Sequence, residues 1–291
     1  MVLLAALAAS AAPAAVTVGG WRPIFKGIDF ARGAADEREP REQQAWAVRV
    51  DLHDPDVVLF STPGNGAAPR EATSETTLEF ARRHGAQIAI NASYFSPCCA
   101  PGEKDLSGLA LSRGEVVSPP VRHGPGDCVL AITRDNRALI TKSDDRFREG
   151  DYWTAVAGSG IVLEGGVKPP AKSGPGSNAA HPRSAAGISR DGRFLILLVI
   201  DGRQPGHSMG ATLDETADWL LRFGAHDGLN LDGGGSTTLV RATAGDPVVL
   251  NRPVGAVIAA GNGREHRVNE RALRSVGSNL GVFAKPLPAA K

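Results

Sequence analysis

Alternating apolar and polar positions mark the strands of this chain most clearly between residues 45 and 52. Every second residue there is apolar and falls on one face, as in a half-buried β-strand: Trp46, Val48, Val50 and Leu52. A second apolar run at 57–60 is expected to pair with it. Short apolar runs between turn residues predict further strands at 87–91, 109–111, 116–117, 128–133, 138–141, 154–166, 194–200 and 228–232.

A helical pattern with an amino-terminal capping motif begins at Thr212. Glu215 follows three residues later, so each of the two side chains can bond the backbone N–H of the other residue. Apolar residues at helical spacing come next, and Gly224 is suited to end the helix. A shorter helix is predicted to begin at Ser74, as its cap, and to end near Gly85.

The most informative stretch joins two predicted strands through this helix. Residues 194–200 are apolar throughout, as in a strand that is covered on both faces. With the helix and strand 228–232 they predict a βαβ unit, whose two strands would run parallel. Ligands of α/β sheets bind outside the carboxyl ends of the strands. We therefore expect Asp201 and Asp232, at those two ends, to share one cleft.

A run of glycines follows Asp232 directly: Gly233, Gly234 and Gly235. Ser236 and Thr238 then supply hydroxyl groups. Without Cβ atoms, the loop can turn its backbone N–H groups toward an anion, which predicts a phosphate site. No lysine follows the glycines, so the loop is not a Walker motif. The alternative is a tight turn in which only glycine fits.

Asp201 and Asp232 are the candidate catalytic carboxylates, because two carboxyl groups in one cleft can act as a catalytic pair. The alternative is that each of them caps loop N–H groups. Glu215 is a further candidate, although the capping motif already explains its presence. No serine nucleophile motif or zinc-protease motif is found in the sequence.

Three other polar residues are candidates for contact with a ligand. Arg183 follows Pro182 at the start of a predicted strand and is suited to bidentate phosphate contact; the alternative is a solvated surface arginine. His181 is either a general acid or base, or an ordinary loop histidine. Asn91 ends strand 87–91, where it either donates to a ligand or holds a turn.

Composition describes an ordinary globular chain of 291 residues with a net charge of +1, so no nucleic-acid partner is expected. Residues 1–18 are apolar and small, which predicts a signal peptide and export to the periplasm, cell envelope or medium. No stable membrane span is expected. Residues 19–291 are predicted to form one domain, with a core at about 85–285.

The three cysteines leave their pairing open. Cys98 and Cys99 are adjacent, and either one can bridge to Cys128 in an oxidising compartment. The alternative is that the thiols are buried and unpaired. Adjacent cysteines do not have a chelating spacing, so a zinc site is not expected.

Several sequence blocks resemble the phosphodiester glycosidase family, that of the uncovering-enzyme-like N-acetylglucosamine-1-phosphodiester α-N-acetylglucosaminidases. The blocks are INASYF (90–95), GSG (158–160), HPRSAAGIS (181–189), LLVIDGR (197–203), LDETADWLL (213–221), NLDGGGSTTLV (230–240) and RSVGSNLGVF (274–283). The resemblance implies an α+β fold with mixed, largely antiparallel sheets and peripheral helices, including the βαβ unit. It implies a ligand pocket formed by Asn91, Arg183, Asp201, Asp232, Gly233, Gly234, Gly235, Ser236 and Thr238. The loop 96–108 has no clear counterpart in the family.

The resemblance also implies an activity. We expect hydrolysis of the bond between a sugar's anomeric carbon and a phosphodiester oxygen, with a phosphorylated glycan or another sugar-1-phosphodiester as substrate. Arg183 and the glycines would hold the phosphate, Asp232 would stabilise or attack the anomeric centre, and Asp201 would orient water. The alternatives are a non-catalytic envelope protein that binds phosphorylated glycans, and a phosphodiesterase that cuts the P–O bond. No cofactor is expected, and a divalent metal is left open.

Overall fold

The structure, a computed structural model, describes residues 16–36, 41–170, 179–258 and 267–288. Most of the predicted signal peptide, residues 1–15, therefore lies outside the described residues. Strands dominate the described part of the chain, and every strand pairing in it is antiparallel. Two α-helices accompany the sheets there.

The elements are numbered along the chain. The strands up to residue 142 are β1 (Thr17–Val18), β2 (Arg22–Phe25), β3 (Ile28–Ala35), β4 (Gln43–Asp51), β5 (Val58–Ser61), β6 (Ala72–Thr73), β7 (Ile88–Asn91), β8 (Phe95–Ser96), β9 (Glu103–Leu106), β10 (Ala110–Ser112), β11 (Glu115–Ser118), β12 (Cys128–Ile132) and β13 (Ala138–Lys142). The later strands are β14 (Thr154–Gly158), β15 (Gly160–Leu163), β16 (Arg183–Ile188), β17 (Phe194–Ile200), β18 (Asp227–Asn230), β19 (Leu239–Arg241), β20 (Val248–Val249), β21 (Val257–Ile258), β22 (Arg267–Val268) and β23 (Asn279–Phe283). The helices are α1 (Thr77–His84) and α2 (Leu213–Arg222), with 3-10 helices at Glu149–Asp151, Gly234–Ser236 and Glu270–Ala272.

Three sheets enclose the main core. The first sheet has the order β1-β3-β4-β17-β16-β18-β15, with β2 paired to β3. The second sheet is β11-β10-β14-β12-β13, and the third is β20-β19-β7-β23-β5. One cluster of buried apolar side chains joins all three sheets, for example through Leu197, Leu130 and Ile90. Shared burial of this kind holds the sheets in fixed relative positions, because the interior is close-packed.

The helices cover outer faces of the sheets. Helix α2 buries Trp219 and Leu220 against the first sheet, and its predicted capping motif of Thr212 and Glu215 is confirmed. Gly224 follows the helix with φ +96°, as a helix-ending glycine does. No helix among the described residues is long and apolar enough to cross a membrane.

Helix α1 begins two residues later than predicted. Its cap is Thr76 rather than Ser74, because Glu79 stands three residues after Thr76 and completes the reciprocal pair of bonds. The predicted end at Gly85 is confirmed, with φ +68° in the left-handed region.

Two predictions about strand pairing are corrected. Strand β5 pairs with β23 in the third sheet, whereas its predicted partner β4 pairs with β3 and β17 in the first sheet. The βαβ unit predicted from 194–200 and 228–232 is not confirmed, because β16 lies between β17 and β18 and pairs antiparallel with both. Since both strands are antiparallel to β16, they still point in the same direction, and Asp201 and Asp232 follow at one edge of the sheet.

The disulfide joins Cys98 to Cys99, not either of them to Cys128. The pair lies in the exposed loop after β8, whereas Cys128 is buried at the start of β12. The Cys128 thiol lies 3.1 Å from the carboxylate of Asp127. The loop and the core strand therefore hold the cysteines in different environments.

Candidate active site

The site lies where the first and third sheets meet. After β18 the chain leaves the first sheet and enters the third at β19, and residues 231–238 form this crossing. The backbone N–H of Asp232 donates to the carbonyl of Ala92, directly after β7, at 2.9 Å. Arg183 stands opposite Ile200 in the register of β16 and β17, which places it beside the strand end that carries Asp201.

Asp232 is a buried carboxyl group, with 9% of the residue exposed. Burial raises the pKa of Asp232 to about 6, against the opposing effects of the Ser236 hydroxyl, the positive charge of Arg274 and the N–H of Gly233. Its carboxylate form therefore predominates at pH 7, with a proton affinity higher than that of an ordinary aspartate. A raised pKa in a polar, cationic setting is typical of a functional carboxyl group.

Asn91 ties the crossing to the neighbouring strands. Its Nδ2 donates to the Asp232 carbonyl at 2.6 Å, while its Oδ1 accepts from the Ser184 hydroxyl at 2.6 Å and the Thr238 N–H at 3.1 Å. Both Asn91 and Thr238 are buried. These contacts support the alternative that Asn91 holds a turn, and ligand contact by Asn91 or Thr238 stays a prediction.

The glycine loop uses part of its backbone within the protein. The Gly234 N–H donates to the Pro182 carbonyl at 2.9 Å, and the Ser236 and Thr237 N–H groups donate back into the loop at 3.2 and 3.3 Å. A Cβ at position 233 would lie 2.6 Å from the same Pro182 carbonyl oxygen, which explains the first glycine. These N–H groups are thus engaged internally, and the predicted anion nest stays a prediction.

Two arginines lie over the other two glycines. A Cβ on Gly235 would lie 2.5 Å from Nη2 of Arg274, and a Cβ on Gly234 would lie 3.5 Å from Nη1 of Arg203. Gly234 also has φ +64°, a conformation that favours glycine. The glycines therefore make room for two guanidinium groups, which the sequence analysis did not identify as site residues.

Arg183 is buried, with 7% of the residue exposed. Its Nε donates to the Ala211 carbonyl at 2.8 Å and its Nη2 to the Ala179 carbonyl at 2.9 Å. Burial lowers the pKa of Arg183 and the charge of Arg203 lowers it further, whereas Tyr94 and the carboxylate of Glu215 raise it. No carboxylate of residues 16–36, 41–170, 179–258 or 267–288 forms an ion pair with it. A buried arginine that forms no ion pair with these carboxylates is suited to bind an anion.

His181 lies beside the arginines of the site. Its Nδ1 lies 3.1 Å from Nη2 of Arg203. Arginine only donates, so Nδ1 accepts, and the proton of the neutral ring lies on Nε2. Burial, followed by the charges of Arg183 and Arg203, lowers the pKa of His181 and favours that neutral ring. The predicted acid or base role of His181 stays a prediction.

Asp201 is almost fully enclosed, with 1% exposed. Its carboxylate accepts from Asn251 Nδ2 and the Arg252 N–H, each at 3.0 Å, and lies 2.8 Å from His207 Nε2. Burial raises the pKa of Asp201 and these bonds oppose the rise. The contacts hold the turn that carries Arg203, so they support a positioning role; the predicted catalytic role stays a prediction.

Tyr94 is a further site residue that the sequence analysis did not single out. Its hydroxyl lies 3.5 Å from Nδ2 of Asn230, and burial together with the charge of Asp232 raises the pKa of Tyr94. Tyr94, Arg203 and Arg274 all belong to the sequence blocks quoted above, which was the signal that could have identified them.

Glu215 has contacts that fit its capping position. Its carboxylate accepts from the Thr212 N–H and from Gln43 Nε2, both at 2.9 Å, and lies 3.4 Å from Arg41. A direct role of Glu215 in the site stays a prediction. In the described part of the chain, no group of three or more His, Cys, Asp or Glu side chains is arranged to hold a metal ion.

Comparison with known proteins connects these residues to a family. The family model described as Phosphodiester glycosidase matches residues 84–283. N-acetylglucosamine-1-phosphodiester alpha-N-acetylglucosaminidase of Bos taurus is 29% identical over 245 residues, covering 78% of this chain and 44% of the bovine protein. The chain thus spans less than half the length of that relative.

Solved structures show the same fold. A hypothetical protein from Synechocystis has a TM-score of 0.63 at 16% identity, covering 89% of this chain and 62% of that chain. The catalytic domain of zebrafish N-acetylglucosamine-1-phosphodiester alpha-N-acetylglucosaminidase, auto-inhibited by its pro-peptide, has a TM-score of 0.61 at 19% identity, covering 94% and 89% of the two chains. At these identities, the agreement concerns the fold.

Proposed function

The chain belongs to the phosphodiester glycosidase family, and on that premise we propose that it hydrolyses the bond between a sugar's anomeric carbon and a phosphodiester oxygen. The products are a free sugar and a phosphomonoester. The observation that carries the proposal is the buried carboxyl group of Asp232, with its pKa of about 6, beside arginines that lie over the glycine loop.

The chemistry of this bond suits the residues. A phosphate is already a good leaving group once its negative charge is held, and Arg183, Arg203 and Arg274 supply that charge stabilisation. The ionised carboxylate of Asp232 then stabilises or attacks the cationic anomeric centre. The prediction that Asp201 orients the attacking water stays untested, and its enclosed carboxylate supports a positioning role instead.

A second candidate reaction is cleavage of the P–O bond, because a cluster of arginines also stabilises charge on phosphorus. The two reactions differ in which atom water attacks. We propose hydrolysis of an N-acetylglucosamine-1-phosphodiester in ¹⁸O-labelled water as the test, with mass analysis of both products. Label in the sugar supports C–O cleavage, whereas label in the phosphate supports the second candidate. Binding without turnover supports the non-catalytic glycan binder.

The proposal includes export and a phosphorylated glycan as partner. Export rests on the apolar, small residues near the amino terminus. A sugar-1-phosphodiester as substrate rests on the name of the bovine relative, and the phosphorylated glycan rests on the family resemblance. Fractionation of expressing cells and a screen of sugar-1-phosphodiesters test these two statements separately.

A further inference from the structure

Three arginines lie close to the glycine loop and outnumber the carboxylates that act on them. Arg203 and Arg274 lie over adjacent glycines of the loop, and Arg183 is close enough to Arg203 for each charge to affect the other. Two carboxylates in the described part of the chain act on these arginines. The charge of Arg274 lowers the pKa of Asp232, and Glu215, which is itself paired with Arg41 at 3.4 Å, raises the pKa of Arg183. Across the described ranges, none of the three arginines forms an ion pair with a carboxylate.

We infer that the arginine cluster, Arg183, Arg203 and Arg274, is selective for a doubly charged phosphate and that the phosphomonoester product is therefore a competitive inhibitor. The identity of that product rests on the proposed function. The preference for a doubly charged anion does not, because it follows from the charges and their positions alone.

The physical argument concerns the second charge of the ligand. A phosphodiester carries one negative charge, whereas a phosphomonoester carries roughly −1.5 to −2 at pH 7, with a second pKa of about 6. The additional charge is attracted by all three guanidinium groups. The attraction is strongest at Arg183, which is buried, because water screens it more at the half-buried Arg274 and the exposed Arg203. Clustered cations also repel each other, so the anion that neutralises them best relieves the most repulsion.

The glycines support this inference independently. A side chain at position 235 would displace Arg274, whose Nη2, Cζ and Nε lie 2.5, 2.6 and 3.0 Å from the Cβ position. Asp201 holds the turn that carries Arg203, through its bonds to His207 and Asn251. Two separate features of the chain thus keep guanidinium groups at this loop.

The first experiment measures binding by calorimetry at about pH 8, where a phosphomonoester is doubly charged. The two probes are methyl phosphate and dimethyl phosphate, and the proteins are wild type, Arg203→Met and Arg274→Met. Arg134→Met is the matched control, since Arg134 is exposed and stacks on Trp153 at 4.7 Å, outside the site. We expect wild type and the control to bind methyl phosphate at least about tenfold more tightly than dimethyl phosphate.

In Arg203→Met and Arg274→Met, the ratio of the affinity for methyl phosphate to that for dimethyl phosphate should fall several-fold. Gly235→Ala keeps all three arginines and should lower the ratio by moving Arg274; thermal unfolding checks that each variant folds. Three results would overturn the inference. Wild type could bind the two probes equally or bind neither, or the affinity ratio could be unchanged in the folded site variants.

The second experiment measures inhibition of phosphodiester hydrolysis by the product phosphomonoester. Competitive inhibition with a Ki below KM supports the inference. Turnover without such inhibition overturns it and leaves the proposed function intact. Preferential binding of methyl phosphate without any turnover of sugar-1-phosphodiesters supports the charge preference and contradicts the proposed function.

Discussion

Asp201 and Asp232 follow strands of the same sheet and are both buried, yet their carboxylates have different partners. The Asp201 carboxylate is bonded to Asn251 and to the Arg252 N–H and lies against His207. Among the charged residues near Asp232, Arg274 lowers its pKa, and burial raises it. Because the two environments differ, we expect different roles for two residues of the same type.

The pH dependence of activity tests Asp232. Its pKa is raised to about 6, and the ionised form acts, so kcat/KM should fall as pH falls through about 6. Asp232→Asn should lower kcat/KM by at least about 10³-fold. Asp214→Asn, at an exposed position of α2, is the control and should retain activity. Near-full activity of a folded Asp232→Asn variant would remove Asp232 from the mechanism.

Arg183 is tested by substrate charge. Arg183→Ala should cost roughly 2–5 kcal/mol in kcat/KM on a sugar-1-phosphodiester and far less on a neutral aryl glycoside of the same sugar. Arg183→Lys should recover part of the loss, because it keeps the charge and loses the planar group that bonds Ala211 and Ala179. Equal losses on both substrates would show that Arg183 is purely structural.

Asp201→Asn separates a positioning role from a catalytic one. The variant loses an acceptor within a buried network, so we expect a loss of about 1–3 kcal/mol in unfolding free energy and a raised KM for the phosphodiester. His207→Gln, which changes a direct partner of Asp201, should show a smaller effect of the same kind. If kcat falls by orders of magnitude while stability and KM are unchanged, Asp201 takes part in the chemistry.

At the scale of elements, local signals predicted local structure. The cap of α2 depends on residues three positions apart, and it was predicted correctly from Thr212 and Glu215. The pairing of β5 with β23 depends on residues more than 200 positions apart, and apolar alternation carries no information about a distant partner. Many strand positions were therefore predicted correctly, although β3 was not predicted, and the partner of β5 was predicted wrongly.

The same distinction applies to the site. Asp232 and the glycines form one continuous motif, so the sequence indicated them directly. Arg274 is 39 positions from Gly235, and nothing near it in the sequence shows that it approaches a glycine. The space that the glycines leave for an arginine becomes visible only when the crossing between two sheets is known.

The first glycine of the loop gives a stability prediction. A Cβ at position 233 would lie 2.6 Å from the Pro182 carbonyl oxygen, a backbone atom that cannot rotate away. Gly233→Ala should therefore lower the unfolding free energy by about 1–3 kcal/mol, measured by denaturant titration. Gly245→Ala is the matched control, because its Cβ would approach no atom closer than Thr243 Oγ1, at 3.9 Å. Equal stability of the two variants would contradict the packing argument.

At the scale of the whole molecule, three sheets share one core and the site lies where two of them end. The crossing 231–238 is anchored to the first sheet through Ser184, which accepts the Leu231 N–H, and to the third through Asn91. The candidate phosphate-binding arginines come from distant parts of the chain. Arg183 lies in β16, whereas Arg203 and Arg274 lie in the connections next to β17 and β23. We expect this placement to preorganise positive charge for a phosphate.

The cysteine pairing can be tested in exported protein. Disulfides persist in oxidising compartments, so protein recovered after export should contain the Cys98–Cys99 bond, with Cys128 as a thiol. Peptide mapping without reduction should therefore find both cysteines in one peptide, whose mass is lower by two hydrogen atoms, and alkylation after unfolding should label Cys128. Cys98→Ser is the control, in which Cys99 should also be labelled. A peptide that links Cys128 to Cys98 or Cys99 would contradict the pairing, and full alkylation of the exported protein at all three cysteines would contradict the disulfide itself.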